Sequence, residues 1–202
     1  MKKPVIAVDI DEVLQPLHQP LLKHHNKRYA TTFAYPDSQG RYFLEELTGE
    51  SSKSVEGKLI KFIKSREFAE AEPLPGAAET VQLLKKRGYE LIIVTSRQPF
   101  FKLDTQNFLK SHFPDLFAAV HFIPYAAGAA MSSAASKLTI CQQIGARYII
   151  DDNTKNAIAC AEGGIEAILF GEYHWNKHEN LPAGVTRCRD WRAVQEYFDA
   201  LR

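Results

Sequence analysis

The sequence of this 202-residue chain predicts an α/β fold with a parallel sheet and helices on both faces. Three observations predict it. Short β-branched apolar runs recur along the chain, helical patterns separate them, and several runs end in acidic or hydroxyl side chains. Strands that alternate with helices form parallel sheets through right-handed crossovers, and such sheets bind ligands at the carboxyl ends of their strands.

Five apolar runs have the length and composition of buried strands. The first comprises residues 4–8, near the start of the chain. The others comprise residues 90–94, 119–123, 147–150 and 166–170. We therefore expect a sheet of five parallel strands.

Amphipathic stretches between these runs predict the helices of the core. Glycines follow the last turn of several of them, and a proline follows another, as is common where helices end. The predicted helices comprise residues 77–87, 100–112, 137–144, 154–162 and 191–201.

The connection after the first strand is much longer than a parallel crossover, which takes about a dozen residues or more. Its own helical stretches comprise residues 17–29, 41–47 and 54–68. Prolines and a glycine at residues 73–76 then punctuate the return to the sheet. We therefore expect a small helical cap at residues 15–75, inserted into a core domain of residues 1–14 and 76–202.

Composition excludes several functional classes. The formal net charge is +1 and no long basic run occurs, so we expect no binding of a nucleic-acid polymer. No apolar run approaches the roughly 18 residues of a membrane span, and no signal-peptide core is present. The three cysteines form no CxxC pair, which indicates reduced thiols. The composition therefore predicts a soluble, cytoplasmic protein.

Two aspartates follow the first predicted strand. Asp9 and Asp11, with one apolar residue between them, place negative charge at the carboxyl edge of the sheet. Aspartate is also favoured at helix N-termini, so capping is the alternative interpretation. Two acids this close together after a strand favour a chemical role.

Polar residues at two further strand ends lie on the same predicted edge. Thr95 and Ser96 follow the second strand, Asp151 and Asp152 follow the fourth, and Lys137 begins the helix before the fourth. Each has a structural interpretation when taken alone, as a cap, a first-turn acid or a solvated lysine. Together they form an ordered set at strand ends that capping does not explain.

This set resembles the motifs of the haloacid dehalogenase-like hydrolase superfamily along essentially the whole chain. VIAVDIDEVL matches the first motif, LIIVTS the second, Lys137 the third and YIIDDN the fourth. The insertion is in the position of the first cap type of that superfamily. The cap, the continuation TSRQ and the late segment FGEYHWN look similar to the deoxyribonucleotidase-like group and its uncharacterised relatives. The resemblance implies a Rossmann-like core.

The resemblance also implies catalytic roles. Asp9 would be the nucleophile that forms an aspartyl phosphate, and Asp11 would protonate the leaving oxygen and then activate water. Thr95 would donate a hydrogen bond to a phosphoryl oxygen, with Ser96 beside it in the substrate site. Lys137 would neutralise charge on the nucleophile and the phosphate.

The same resemblance implies a magnesium site at Asp9, Asp11, Asp151 and Asp152. Asp9 and Asp151 would bind Mg²⁺ beside the backbone carbonyl of Asp11, with Asp152 as a supporting ligand. Two carboxylates about 4 Å apart repel each other by roughly 4 kcal/mol at an effective dielectric constant of 20, so a cation is needed. Oxygen ligands suit Mg²⁺, which bridges to phosphate.

The acid at Asp11 implies a reaction class within the superfamily. Dehalogenases proper lack it and transport ATPases have threonine there, so the resemblance implies hydrolysis of a small phosphorylated metabolite or, less often, phosphate migration. Glu12 departs from the glycine common at this position, which leaves the turn geometry open. The choice between a nucleotide and a sugar phosphate also stays open.

Two other functional classes share parts of the pattern. Response-regulator receivers combine early acids, a hydroxyl residue and a lysine around a phosphorylated aspartate. In receivers, however, the lysine follows that aspartate, whereas Lys137 precedes Asp151 and Asp152, and receivers have no cap of this size. A non-catalytic phosphate-binding protein is the second alternative.

Three weaker features have structural alternatives. His174 and His178 have metal-ligand spacing, but a surface loop is the simpler interpretation. The Ala- and Ser-rich segment 126–136 is expected to be a loop that contacts substrate or connects two elements. Aromatic residues of the cap either stack a nucleobase or form the cap's own core. They are Tyr29, Phe33, Tyr35, Tyr42 and Phe43.

Overall fold

Parallel strands form one central sheet in a computed structural model, which describes residues 3–34, 43–123, 133–177 and 180–201. In chain order the strands are β1 (Val5–Val8), β2 (Glu90–Thr95), β3 (Ala119–Phe122), β4 (Ala146–Asp151), β5 (Glu166–Phe170) and β6 (Val185–Cys188). Their order across the sheet is β3-β2-β1-β4-β5-β6. The predicted parallel sheet is confirmed, and β1 lies between β2 and β4.

The predicted number of strands is wrong by one, because the described part of the sheet has six. The additional strand, β6, is four residues long and pairs with β5 at the edge of the sheet. Thr186 and Arg187 interrupt its apolar character. A short edge strand with polar residues lacks the continuous apolar run by which buried parallel strands are found in a sequence.

Helices cover both faces of the sheet, as predicted. In chain order they are α1 (His18–Tyr29), α2 (Phe43–Thr48), α3 (Ser52–Ile63), α4 (Arg66–Ala69), α5 (Ala77–Lys86), α6 (Lys102–His112), α7 (Ser133–Gln143), α8 (Thr154–Glu162) and α9 (Trp191–Ala200). A 3₁₀ turn at Pro99–Phe101 precedes α6. None of the described helices has the length and apolar character that a transmembrane span requires.

The side chains of β1 show how the two faces are filled. Ile6 and Val8 pack into a core with α5, α6 and α9, whereas Val5 and Ala7 pack into a second core with α7 and α8. Alternate residues of a strand point to opposite faces, so a strand buried on both faces is apolar throughout. The first predicted strand has this composition.

The segment between β1 and β2 contains α1 to α4, which pack around a third apolar cluster. This cluster contains Leu21, Leu22, Leu44, Phe62, Ile63 and Phe68, together with Phe101 from the 3₁₀ turn. The single helix predicted over residues 54–68 is wrong, because α3 ends at Ile63 and α4 begins at Arg66. Ser65 caps α4 by accepting a hydrogen bond from the backbone of Phe68 at 3.3 Å.

Two predictions before β4 need correction. We expected Lys137 to begin a helix, but α7 begins at Ser133, so Lys137 lies in its second turn. Residues 133–136 of the expected loop are therefore helical, and residues 126–132 lie outside the described residues. All three cysteines are free and buried, as expected.

Candidate active site

The carboxyl ends of β1, β2 and β4 bring the predicted site residues to one edge of the sheet. Thr95 is the last residue of β2, Asp151 is the last residue of β4, and Asp9 directly follows β1. The backbone N–H of Asp9 donates to the carbonyl of Ile150 at 3.0 Å. This bond continues the pairing between β1 and β4, and it fixes the backbone position of Asp9.

Lys137 connects the strand ends from α7. Its Nζ lies 2.9 Å from Oδ2 of Asp9 and donates to Oδ2 of Asp151 at 2.6 Å. The lysine side chain is fully buried. Burial alone lowers the pKa of Lys137, but the charges of Asp151 and Asp9 outweigh this effect and raise it above its ordinary value. The lysine is therefore charged at this edge.

Asp9 is buried and surrounded by charge. Burial raises its pKa to about 6, the charge of Lys137 opposes this rise, and the charges of Asp151 and Asp11 add to it. Its Oδ1 accepts a hydrogen bond from the backbone N–H of Ile10 at 2.8 Å. These two bonds, from Lys137 and Ile10, orient both carboxylate oxygens.

Asp151 is fixed by the start of α8. Its Oδ1 accepts hydrogen bonds from the backbone N–H of Asn153 at 2.8 Å and from the side-chain amide of Asn156 at 3.0 Å. Asn153 itself caps α8 by accepting from the backbone of Lys155 and Asn156. The side chain of Asn156 is buried, so it supports Asp151 from inside the fold.

Asp152 is oriented by the loop after β5. Its Oδ2 accepts a hydrogen bond from Nε1 of Trp175 at 2.8 Å, and its carbonyl accepts one from the buried amide of Asn176 at 2.9 Å. Burial and then the charge of Asp151 raise the pKa of Asp152 well above its ordinary value. The ring of Trp175 stacks on that of Tyr173, with centroids 4.6 Å apart.

Three of the aspartates converge closely enough to share a cation. One carboxylate oxygen from each of Asp9, Asp151 and Asp152 lies within 4.8 Å of the others. Among the described residues, the Lys137 ammonium group contacts two of these three carboxylates, those of Asp9 and Asp151. An all-oxygen donor set with excess negative charge suits a hard divalent cation.

The side chain of Asp11 has a different partner. It forms a bidentate ion pair with Arg97, whose Nη2 and Nε lie 2.7 and 3.0 Å from Oδ1. The Asp11 side chain is 26% exposed, whereas that of Arg97 is fully buried. The carboxylate of Asp11 is therefore held apart from the three that converge.

The turn after Asp11 accommodates Glu12 in the left-handed region, with φ of 57°. Glycine is favoured in this conformation, so the turn is strained at Glu12. The side chain provides a compensating interaction, because its Oε1 accepts from the backbone N–H groups of Leu17 and His18 at 2.8 and 2.7 Å. No side chain of α1 caps its own N-terminus, and Glu12 takes that place.

The two hydroxyl residues of the second motif differ in exposure. Thr95 is buried, and its Oγ1 accepts a hydrogen bond from the backbone N–H of Arg97 at 3.2 Å. Ser96 is exposed. Their roles toward a phosphoryl group stay predictions.

The chain matches a known protein family. Residues 3–201 match the family model described as 5′ nucleotidase, deoxy (pyrimidine), cytosolic type C protein. The chain belongs to this family. The match covers nearly the whole chain, so the core, the insertion and the late segment all lie within it.

Individual relatives are similar over their full length. A 5′(3′)-deoxyribonucleotidase of Clostridium acetobutylicum is 25% identical over 205 residues, which is 100% of this chain and 98% of the relative. A crystal structure described as a predicted phosphatase from the same organism has a TM-score of 0.70 at 12% identity, covering 99% of this chain and 100% of that one. A haloacid dehalogenase-like hydrolase from Streptococcus pneumoniae has a TM-score of 0.66 at 15% identity, covering 97% and 98%.

These comparisons confirm the resemblance to haloacid dehalogenase-like hydrolases and the deoxyribonucleotidase-like group. This member of the 5′ nucleotidase family is a phosphoric monoester hydrolase. The two alternatives, a receiver and a non-catalytic phosphate-binding protein, are not supported.

Four side chains of the site had no predicted role. Arg97 and Trp175 lie in the segments TSRQ and FGEYHWN, which carried the finer resemblance, and Asn176 follows Trp175 directly. Asn156 lies five residues after Asp151, one turn into α8. Their positions close to a motif could have indicated that these polar residues belong to the site. The neighbouring sequence does not indicate, however, which carboxylate each of them contacts.

Of the weaker sequence features, His174 meets the ring of Trp175 edge-on, with centroids 4.8 Å apart, and some others lie outside the described residues. His178, Tyr35 and Tyr42 are among the residues outside. Tyr29 and Phe33 pack against the ring of His25, at 4.7 and 5.8 Å between centroids. These two aromatic residues contribute to packing around α1. Their contact with a nucleobase stays a prediction.

Proposed function

We propose that this protein hydrolyses a small phosphomonoester through an aspartyl phosphate at Asp9. The observation that carries the proposal is the setting of Asp9, a buried carboxylate 2.9 Å from the Lys137 ammonium group and within 4.8 Å of oxygens of Asp151 and Asp152. A carboxylate oriented in this way is a nucleophile beside positive charge, where a phosphate dianion can approach it.

In the first step a carboxylate oxygen of Asp9 bonds to phosphorus, and the bond between phosphorus and the ester oxygen breaks. Protonated Asp11 gives its proton to that oxygen, which leaves as an alcohol. Lys137, Thr95 and Ser96 bind phosphoryl oxygens during this transfer. Asp9 is then esterified with phosphate and Asp11 is ionised.

In the second step a water molecule attacks the phosphorus of the aspartyl phosphate and gives one proton to Asp11. The bond between phosphorus and Asp9 breaks, and inorganic phosphate leaves. Asp9 is again a carboxylate and Asp11 is again protonated, so the cycle closes without a further reactant.

The donor set fits Mg²⁺, and we propose that Asp9, Asp151 and Asp152 hold it with the backbone carbonyl of Asp11. When bound, the ion neutralises charge on the phosphate and on the carboxylates around it. The excess of carboxylates over ammonium groups in the cluster supports this choice.

We further propose that residues 15–75 form a cap domain on a core of residues 1–14 and 76–202. The separate apolar cluster of the inserted helices supports this division. As substrate class we propose deoxyribonucleoside monophosphates, because the family description and the clostridial relative both name deoxynucleotide hydrolysis. A cap sets such specificity through the shape of its pocket.

The test is a screen of the purified protein against nucleoside and sugar monophosphates, with Mg²⁺ and with a chelator. We expect phosphate release that requires Mg²⁺ and is fastest with deoxyribonucleotides. The variant Asp9→Asn lacks the nucleophile and should lose more than about 10³-fold in kcat while keeping the far-UV circular dichroism spectrum of the wild type. Substantial activity of D9N would overturn the covalent mechanism, and activity on sugar phosphates alone would overturn the substrate class.

A further inference from the structure

Arg97 is a buried arginine at the edge of the sheet, next to Asp11. Its side chain is fully buried, and its guanidinium group binds three side chains, two from the turn after β1 and one from α6. Nε and Nη2 donate to Asp11, Nη2 also donates to Oε1 of Gln15 at 2.7 Å, and Nη1 donates to Oγ1 of Thr105 at 2.9 Å. A planar group held at all three nitrogens has one orientation.

The contact with Asp11 is asymmetric. Oδ1 accepts two hydrogen bonds from Arg97, at 2.7 and 3.0 Å, whereas Oδ2 accepts one at 3.2 Å. Oδ1 is therefore committed to the arginine, and Oδ2 is the freer oxygen. The ion pair defines the rotation of the carboxyl group as well as its position.

Arg97 also connects Asp11 to the inserted segment. Its guanidinium carbon lies 5.7 Å from the ring centroid of Phe68, which is in α4, and 5.2 Å from that of Phe101. Gln15, which shares Nη2 with Asp11, is in the turn after β1, where its carbonyl accepts from the backbone of Glu12 at 2.9 Å. The arginine thus lies between Asp11 and the first apolar side chain of α4.

We propose that Arg97 is a positioning residue for Asp11. It fixes Oδ1, so that Oδ2 is the oxygen that gives a proton to the leaving group in the first step. This inference rests on the proposed function, in which Asp11 is the general acid. Nothing in the family motifs assigned a role to this arginine.

The test compares two esters that differ in their need for a proton. Nitrophenolate is a weak base and leaves without protonation, whereas the alkoxide of a deoxyribonucleoside 5′-monophosphate needs the acid. The value of kcat/KM reports steps up to formation of the aspartyl phosphate, so it isolates the acid step. In Arg97→Met we expect about a 10- to 100-fold loss of kcat/KM with the nucleotide, since general acids contribute about 10²- to 10⁴-fold. With p-nitrophenyl phosphate the loss should stay within about threefold.

Two further variants of this network separate positioning from folding. Arg97→Lys keeps the positive charge but loses the planar guanidinium group that binds Asp11 through two nitrogens. Its loss of kcat/KM with the nucleotide should therefore lie between the values for the wild type and R97M. Thr105→Val removes only the Nη1 hydrogen bond and leaves Asp11 and Arg97 in place. It should shift the ratio of the two kcat/KM values in the same direction by about two- to fivefold, which keeps the test decisive if R97M does not fold.

The matched control is Arg87→Met. Arg87 is also an arginine with a largely buried side chain, 10% exposed, and it pairs with Asp199 between the end of α5 and α9, away from the sheet edge. R87M should lower the melting temperature and leave the ratio unchanged. Equal losses with both esters in R97M would overturn the inference alone. No hydrolysis of either ester by the wild type would overturn the proposed function and this inference with it.

Discussion

The four aspartates of the site form two pairs that are held in different ways. The inner pair, Asp9 and Asp151, shares the buried ammonium group of Lys137. The outer pair, Asp11 and Asp152, follows the same two strand ends one or two residues later. Each of its members has a separate partner, Arg97 for Asp11 and Trp175 for Asp152.

The difference lies in which part of the molecule fixes each pair. The partners of the inner pair all lie outside the inserted segment: Lys137 on α7, Ile10 directly after β1, and Asn153 and Asn156 at the start of α8. The partners of the outer pair both contact the inserted segment, since Arg97 lies against Phe68 and Trp175 meets the ring of His18 edge-on, with centroids 4.6 Å apart. Asp9, the proposed nucleophile, is therefore positioned by the sheet and the helices that cover it, whereas the proposed acid Asp11 and the carboxylate of Asp152 are positioned at the junction with the insertion.

The largest effect should come from removing the shared partner of the inner pair. Lys137→Met leaves two buried carboxylates without their ammonium group, which we expect to lower the free energy of unfolding by about 3–5 kcal/mol. It should also lower kcat/KM by about 10²- to 10³-fold with aryl and alkyl esters alike, because the charge acts on the phosphoryl group and not on the leaving oxygen. Urea unfolding with a chelator and steady-state kinetics measure the two effects.

The control for this prediction is Lys155→Met. Lys155 is exposed on α8, close in sequence to the same strand end, and its substitution should change neither quantity. A loss in K137M that depended on the leaving group would contradict the separation between the inner and outer pairs. It would place Lys137 on the path of the proton.

The same separation explains what the sequence alone predicted. The inner pair is found from strand ends, because apolar runs followed by polar residues are a local pattern. Lys137 lies on a helix, and the family resemblance was what assigned it a role. The partners of the outer pair are remote in sequence, 86 residues from Asp11 to Arg97 and 23 from Asp152 to Trp175. The edge strand β6 and the break before α4 were also missed, since a short polar strand and a serine within a helical pattern give weak local signals.

The second prediction concerns Trp175, which donates a hydrogen bond to the side chain of Asp152. Trp175→Phe keeps an aromatic ring but removes the N–H that donates to Oδ2 of Asp152, so the carboxylate is free to rotate. Loss of such an outer-shell hydrogen bond weakens metal binding by about 10- to 100-fold. Titration calorimetry with Mg²⁺ on the otherwise unliganded protein measures this directly, without reference to turnover.

Tyr173→Phe is the matched control for W175F. The Tyr173 ring stacks on Trp175, but its hydroxyl donates to the carbonyl of Glu12 at 2.8 Å and not to a carboxylate. Y173F should bind Mg²⁺ within about threefold of the wild type, since its hydrogen bond is not to a proposed ligand side chain. Wild-type affinity in W175F would show that the inner pair alone determines metal binding.

The last prediction concerns stability and not turnover. It is made for Glu12, which joins the turn after Asp11 to the first turn of α1. Burial raises its pKa to about 7, although the hydrogen bonds from His18 and Leu17 oppose this rise and the charge of Asp11 adds to it. Between pH 4.5 and 7 the folded protein therefore binds a proton that the unfolded chain does not. The stability that this proton contributes is present below about pH 4.5 and is lost as pH rises toward 7.

Glu12→Gln removes this titration and keeps an oxygen that accepts both backbone hydrogen bonds. The difference in free energy of unfolding between E12Q and the wild type should grow in favour of E12Q by about 1–3 kcal/mol from pH 4.5 to 7.5. Urea unfolding across this range, in the presence of a chelator, gives the difference, from which other titrating groups cancel. A difference for E12Q that did not change with pH would mean that Glu12 is ionised throughout, and that the N-terminus of α1 holds a full negative charge at the junction between Asp11 and the insertion.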